Sequence, residues 1–236
     1  MTAIDPHRTL ADVVTSHPEV ARALERRGLD YCCHGDRSLT EACRAADLDP
    51  AVIAAELAAV AQTSDGESWA DLDVGALADH IEATHHQYLW RELPRLSELV
   101  EKIVAVHGDH HPELAEVATL FTVLRAELEP HLAKEERVLF PMIRELAHAT
   151  NRPTFHCGVI GNPISMMMRE HEHAGELLER LRTTTDDYRV PDDGCTSYRA
   201  CYEGLAELEA DTHLHVHKEN NVLFPAVVEL EHSLPE

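Results

Sequence analysis

The residues best equipped for chemistry here are histidines and glutamates held in a repeated frame. His131-Leu132-Ala133-Lys134-Glu135 runs on into Glu136-Arg137-Val138-Leu139-Phe140-Pro141. His215-Val216-His217-Lys218-Glu219 runs on into Asn220-Asn221-Val222-Leu223-Phe224-Pro225. The common pattern is His-x-x-x-Glu-x-x-Val-Leu-Phe-Pro, offset by 84 residues. A weaker echo lies upstream of each copy, where His86 precedes Leu93 and Leu96, and His171 precedes Leu178 and Leu181. His86 lies 45 residues before His131, and His171 lies 44 before His215. On an α-helix, residues four apart sit about 40° apart in azimuth and about 6 Å apart along the axis, so both side chains face one way. An imidazole and a carboxylate so placed can share one metal ion. Two carboxylates from facing helices can each bridge two ions, leaving two imidazoles for each. Zinc is satisfied by fewer ligands, and magnesium has little use for four imidazoles. Mixed imidazole and bridging carboxylate with open positions favours a pair of redox-active iron ions.

Such a ligand set needs four helices to carry it. After a polar, Gly-containing stretch from Gln62 to Ser68, helical patterning predicts helices near 74–106, 113–148, 163–187 and 196–231. Asp73 and Asn162-Pro163 suit the starts of the first and third, and modest connections imply an antiparallel bundle. Pro130, directly before His131, is expected to kink its helix beside the site. Ahead of the linker, Pro18 suits a first helical turn and Gly28 a stop. Ser38-Leu39-Thr40-Glu41 forms a capping box, and Asp49-Pro50 opens a further helix. The fold class is therefore all-α: a small helical domain over 1–64, a linker over 65–72 and a four-helix bundle over 73–236.

Composition narrows the function classes. Forty-three acidic against 20 basic residues give a formal charge of −23. This surface repels a phosphate backbone, so nucleic acid is not an expected partner. Neither an apolar run near 18 residues nor a charged-then-apolar leader is present, so no membrane association and a cytoplasmic location are expected. Six cysteines in such a chain read as free thiols or ligands rather than structural disulfides. Cys32 and Cys33, between Tyr31 and His34, read as a short polar loop able to hold iron in transit, react with nitrosyl or peroxide, or form a vicinal disulfide. Cys43, Cys157, Cys195 and Cys201 lack ligand-like spacing. His213 and His217 point away from His215 and read as surface residues. His107, His110 and His111 cluster at a helix connection and read as exposed, with a loop-bound adventitious metal as the alternative. Met166-Met167-Met168 reads as bundle core.

These motifs resemble those of the hemerythrin-like metal-binding domains, and the whole chain resembles the iron-sulfur cluster repair di-iron proteins. The resemblance rests on Asp30-Tyr31-Cys32-Cys33, on Asp79-His80-Ile81 leading to His86 and Leu93-Pro94, and on His131 to Pro141. It continues through Gly161 to Glu179 and His215 to Pro225. It implies a hemerythrin-like bundle with a non-haem pair of iron ions, oxo- or hydroxo-bridged, on His86, His131, Glu135, His171, His215 and Glu219. His85 adjoins His86, and only the repeat spacing and the resemblance select between them. His34 stands where family members often have Gly. Oxygen-carrying hemerythrins use five histidines, so with four matched here stable oxygen transport is not the expected use.

Three carboxylates sit near the expected ligands. Glu127 and Asp211 lie one turn before His131 and His215, and Glu170 adjoins His171. Each is placed to orient an imidazole or relay a proton, and the resemblance supports Glu127 and Glu170. The expected function is repair of iron-sulfur clusters after oxidative or nitrosative damage, by iron release or exchange to client proteins, with Cys32 and Cys33 as a thiol or iron-transfer point. The competing expectations are reduction of nitric oxide to nitrous oxide at the iron pair, and a sensing module for NO or O2. The oligomeric state stays open between a monomer and a homodimer.

Overall fold

The computed structural model describes residues 4–62 and 69–235. Of the linker expected over 65–72, residues 65–68 lie outside the described residues. The described residues are helical, without a β-sheet. Their contacts separate two compact units.

The first unit comprises Met1–His80, Ile143–Pro153 and His213–Glu236. Its N-terminal part holds α1 (Leu10–Ser16), a 3-10 turn (Pro18–Val20), α2 (Ala21–Glu25), α3 (Leu39–Ala45) and α4 (Pro50–Ala61). The expected punctuation is present. Gly28 has a positive φ of 65°. Ser38 and Glu41 exchange the two bonds of a capping box, and the Asp49 side chain accepts the Ala51 N–H at 2.8 Å. Leu10, Val14, Leu24, Leu39 and Leu57 form a core that also takes in Cys32 and, from far along the chain, Val216.

The second unit comprises Ile81–Met142 and Thr154–Thr212. It contains α6 (Gln87–His107), α7 (Leu114–Lys134) with the turn after it, α9 (Gly161–Thr184) and most of α10 (Thr196–Lys218). One core takes Leu93 and Leu96 from α6, Leu120 and Leu124 from α7, Leu178 and Leu181 from α9, and Leu205 and Leu208 from α10. This is the four-helix bundle that the spacing predicts. The third helix ends at Thr184, three residues short of expectation. Its C-terminus is closed by the Asp187 N–H donating to Arg182 C=O at 2.9 Å, and Asp186 to Tyr188 take positive φ, the left-handed geometry of a helix stop.

Three of the four long helices contain a π turn: Glu82–His86 after α5 (Val74–Ile81), Glu135–Leu139 before α8 (Phe140–Ala147), and Glu219–Leu223 before α11 (Phe224–Ser233). Each begins or ends on an expected ligand. Such single widened turns recur at functional sites. Two of them run directly into the repeat's Leu-Phe-Pro, where Pro141 and Pro225 have no N–H for the carbonyls of Arg137 and Asn221 four residues back. Pro130, where a kink is expected, lies inside α7, which continues to Lys134.

Candidate metal centre

In the second unit, Glu135 lies at the middle of a buried group. Its Oε2 is 3.2 Å from His131 Nε2 and 3.4 Å from His86 Nε2, and its Oε1 is 4.0 Å from His171 Nε2. The Nε2 atoms of His131 and His171 face each other at 3.1 Å. None of the four residues is more than 3% exposed. Ligand atoms of His131, Glu135 and His171 lie within 4.8 Å of one another.

The outer nitrogens explain what the inner ones do. His131 Nδ1 donates to Glu170 Oε2 at 2.9 Å, and His86 Nδ1 donates to Glu136 Oε1 at 3.1 Å. Each carboxylate fixes its imidazole with the proton outward and the Nε2 lone pair inward. Two lone pairs then face the Glu135 carboxylate across little more than 3 Å. A cation between them turns that repulsion into coordination, so the donor set fits a metal. Glu136 is itself anchored by Trp90 Nε1 at 2.7 Å. Sequence reasoning overlooked both residues, although Glu136 follows the ligand Glu135 directly.

Glu170 also accepts from Lys134 Nζ. Its pKa is pulled down to about 2, first by the His131 hydrogen bond and then by Lys134, against the opposing effect of burial. Replacing Glu170 with Gln should leave the helices intact but weaken metal retention roughly 10–100-fold, the usual cost of losing an outer-shell carboxylate. A chelator-competition titration measures this, and unchanged retention would remove Glu170 from the site.

The first unit carries the second His-x-x-x-Glu pair. His215 Nε2 and Glu219 Oε1 are 3.2 Å apart, with exposures of 1% and 0%. The flanking residues correct the sequence reading. His217 is fully buried, its ring edge-on to Tyr31 and Trp69. It donates from Nδ1 to Tyr31 C=O at 3.3 Å. Burial lowers its pKa to about 4, so it is neutral. His213 is part-buried between Tyr31 and Glu25. Both pack against the Asp-Tyr-Cys-Cys segment, which α10's own periodicity cannot reveal. Asn221 donates to Cys32 C=O at 3.0 Å. At Gly35 a Cβ would lie 2.5 Å from Tyr31 O and 3.0 Å from Asn221 Oδ1, so only glycine permits this approach.

Cys32 and Cys33 are likewise not a solvated loop, since Cys32 is 5% exposed. Both are free thiols, with Sγ atoms 3.8 Å apart. Asp30 Oδ1 accepts the N–H of Cys32, the N–H of Cys33 and the Cys32 thiol at 3.0, 2.9 and 3.3 Å. The ligand atoms of Asp30, Cys32 and Cys33 lie within 4.8 Å of one another, a second group able to hold a cation.

Other sequence candidates fall elsewhere. Glu127 forms a surface pair with His173 at 2.7 Å. Asp211 accepts from His85 at 2.9 Å, which gives that neighbour of His86 a separate partner. Of the three methionines only Met167 is core, with Met166 and Met168 nearly half exposed. No helix among the described residues is long and apolar enough to cross a membrane.

Comparison with known proteins places these features in context. The hemerythrin HHE cation-binding domain matches residues 77–227. A domain of unknown function, ScdA_N, matches residues 6–61. The chain is 37% identical to the iron-sulfur cluster repair protein YtfE of Enterobacter sp. (strain 638) over 92% of its length and 94% of the relative. It is 35% identical, with the same coverage, to the proteins of that name from Escherichia coli O8 (strain IAI1) and Shigella boydii serotype 4 (strain Sb227).

Proposed function

Because the chain belongs to the hemerythrin HHE cation-binding family, and over nearly its full length to the iron-sulfur cluster repair proteins, we propose that it restores iron-sulfur clusters damaged by oxidative or nitrosative stress. The observation that carries this reading is the likeness to repair proteins across both the N-terminal domain and the bundle. In this reading the chain holds two iron ions, with His86, His131, Glu135, His171, His215 and Glu219 as the ligands. The iron pair supplies exchangeable metal and redox-active positions open to small ligands such as NO or O2. The residues 73–236 are the iron-binding domain, 1–64 the module that serves it, and the clients are cytoplasmic iron-sulfur proteins.

The side chains have distinct parts in iron release. His131 Nε2 would accept a proton whenever it holds no metal, and Glu170, bonded to Nδ1 at 2.9 Å, would stabilise the imidazolium. Glu170 is about one-third exposed and therefore links the ligand to solvent, a position that Glu127 does not share. Cys32, Cys33 and Asp30 are the proposed point of transfer to a client.

A second reading, nitric oxide reduction, is favoured by the same Glu170, since coupling two NO molecules consumes protons. One assay separates the two. A cluster enzyme inactivated by NO is incubated with iron-loaded protein while nitrous oxide is measured. Reactivation that depends on loaded iron is the expected result. Sustained nitrous oxide production with no reactivation would replace repair with reduction.

A further inference from the structure

We propose that His107, His111, Asp193 and Cys195 form a second metal site, for a zinc-type divalent cation, at the far end of the four-helix unit. All four lie in the second unit, where α6 gives way to α7 and where the turn after α9 enters α10. His107 stands 21 residues beyond His86, about 30 Å along a helix at 1.5 Å per residue, so this cluster is distinct from the iron ligands.

The side chains are already arranged as two ligand pairs. His107 Nε2 lies 3.3 Å from Cys195 Sγ, and His111 Nε2 lies 3.0 and 3.2 Å from the Asp193 oxygens. With metal–nitrogen and metal–oxygen bonds near 2.1 Å and metal–sulfur near 2.3 Å, the edges of a tetrahedral site run to about 3.4–3.6 Å. Each pair is therefore within a few tenths of an ångström of a coordination edge. The imidazole centroids are 6.3 Å apart, about 1 Å wider than two ligands of one tetrahedral ion. The two pairs are not yet within 4.8 Å of one another, so closing the site requires both rings to swing across the buried Tyr198, from which their centroids lie at 5.3 and 5.7 Å.

The backbone holds the pairs in place. His107 and His111 are four apart at the end of α6, and the His111 N–H donates to His107 C=O at 2.9 Å. Asp193 and Cys195 flank Gly194, whose N–H closes a turn on Pro191 C=O at 2.9 Å. A Cβ on Gly194 would lie 2.7 Å from Val190 Cγ1 and 2.9 Å from Pro191 O, so the turn between the two residues requires glycine.

The surroundings supply what a metal site needs beyond its ligands. Glu113 Oε1 is 3.0 Å from His111 Nδ1, so it orients the ring with Nε2 turned to Asp193, the outer half of a carboxylate–histidine–metal arrangement. Two carboxylates around His111, Asp193 first and then Glu113, raise its pKa. A cation at this point would take the place of the proton that His111 shares with Asp193. The Cys195 thiol is lowered to about 7, by the His107 hydrogen bond first and the Tyr198 N–H second, and thiolate is the ligand form. Cation binding at this site therefore releases protons, and it neutralises acidic charge on a chain of net −23.

Cobalt(II), a spectroscopic stand-in for zinc, tests the site in the iron-loaded full chain. A single cobalt per chain should bind with a sulfur-to-cobalt charge-transfer band and four-coordinate ligand-field bands, and zinc should displace it. Cys195→Ser should abolish the charge-transfer band. His111→Ala should weaken cobalt binding roughly tenfold or more, and Cys33→Ser should leave the band in place. Absence of the band in the unmodified protein overturns the proposal. So does its survival in Cys195→Ser, or its loss in Cys33→Ser, which would transfer the thiolate site to the Asp30-Cys32-Cys33 group.

Discussion

Replacing Glu135 and Glu219 together with Ala will reduce the bound iron from two ions per chain to a trace and remove the absorption of a coupled ferric pair. Both carboxylates are fully buried. Glu135 alone faces three imidazoles at 3.2, 3.4 and 4.0 Å. Loss of an outer hydrogen-bond partner already costs 10–100-fold in metal affinity. Loss of two inner ligands, each offering a charge and a bridging geometry, costs more, and the two multiply. The metal-free variant should nonetheless stay folded, because the two apolar cores are built without either glutamate. Helical circular dichroism of the metal-free variant should therefore match that of the unmodified chain. A double variant that still held two coupled irons would refute the ligand assignment, whatever the fate of the repair activity.

Tyr31→Ala will destabilise the first unit by about 3–5 kcal/mol, the range for removing a large buried aromatic side chain. Tyr31 is 1% exposed. Its ring packs edge-on against His217 at 5.5 Å and His213 at 6.4 Å, and its hydroxyl donates to Glu25 at 2.7 Å. Its carbonyl accepts from His217. Tyr31→Phe keeps the ring and loses only the bond to Glu25, so it should cost less, about 1–3 kcal/mol. Denaturant unfolding followed by circular dichroism ranks the two. His215 and Glu219 lie on the stretch that Tyr31 covers, so iron should also dissociate faster from the Ala variant. If Tyr31→Ala cost less than 1 kcal/mol, the N-terminal segment would not be packed on this stretch, and Cys32 would return to the solvated loop that its polarity suggests.

The parts of this protein legible in its sequence are those governed by local geometry. The His-x-x-x-Glu frames and the matching upstream histidines follow from the fixed pitch of a helix, so spacing alone puts His131 with Glu135 and His215 with Glu219. The caps at Ser38 and Asp49 and the stop at Gly28 are equally local, each set by backbone conformation or by bonds within a few residues. Two of the three π turns lead into the prolines of the repeat, but nothing in the sequence marks Glu82–His86. The tertiary structure decided everything that depends on approach between distant segments. His217 looks like surface on α10, yet Tyr31, 186 residues away, buries it. Asp211 looks like a partner for His215 one turn on, yet it bonds His85, 126 residues away. Glu170 and Glu136 acquire their roles only because His131 and His86 turn their outer nitrogens to them from other helices. A helix period states which residues share a face. What that face meets is set by how the chain packs, because burial and hydrogen bonding act through space and take no account of separation along the chain.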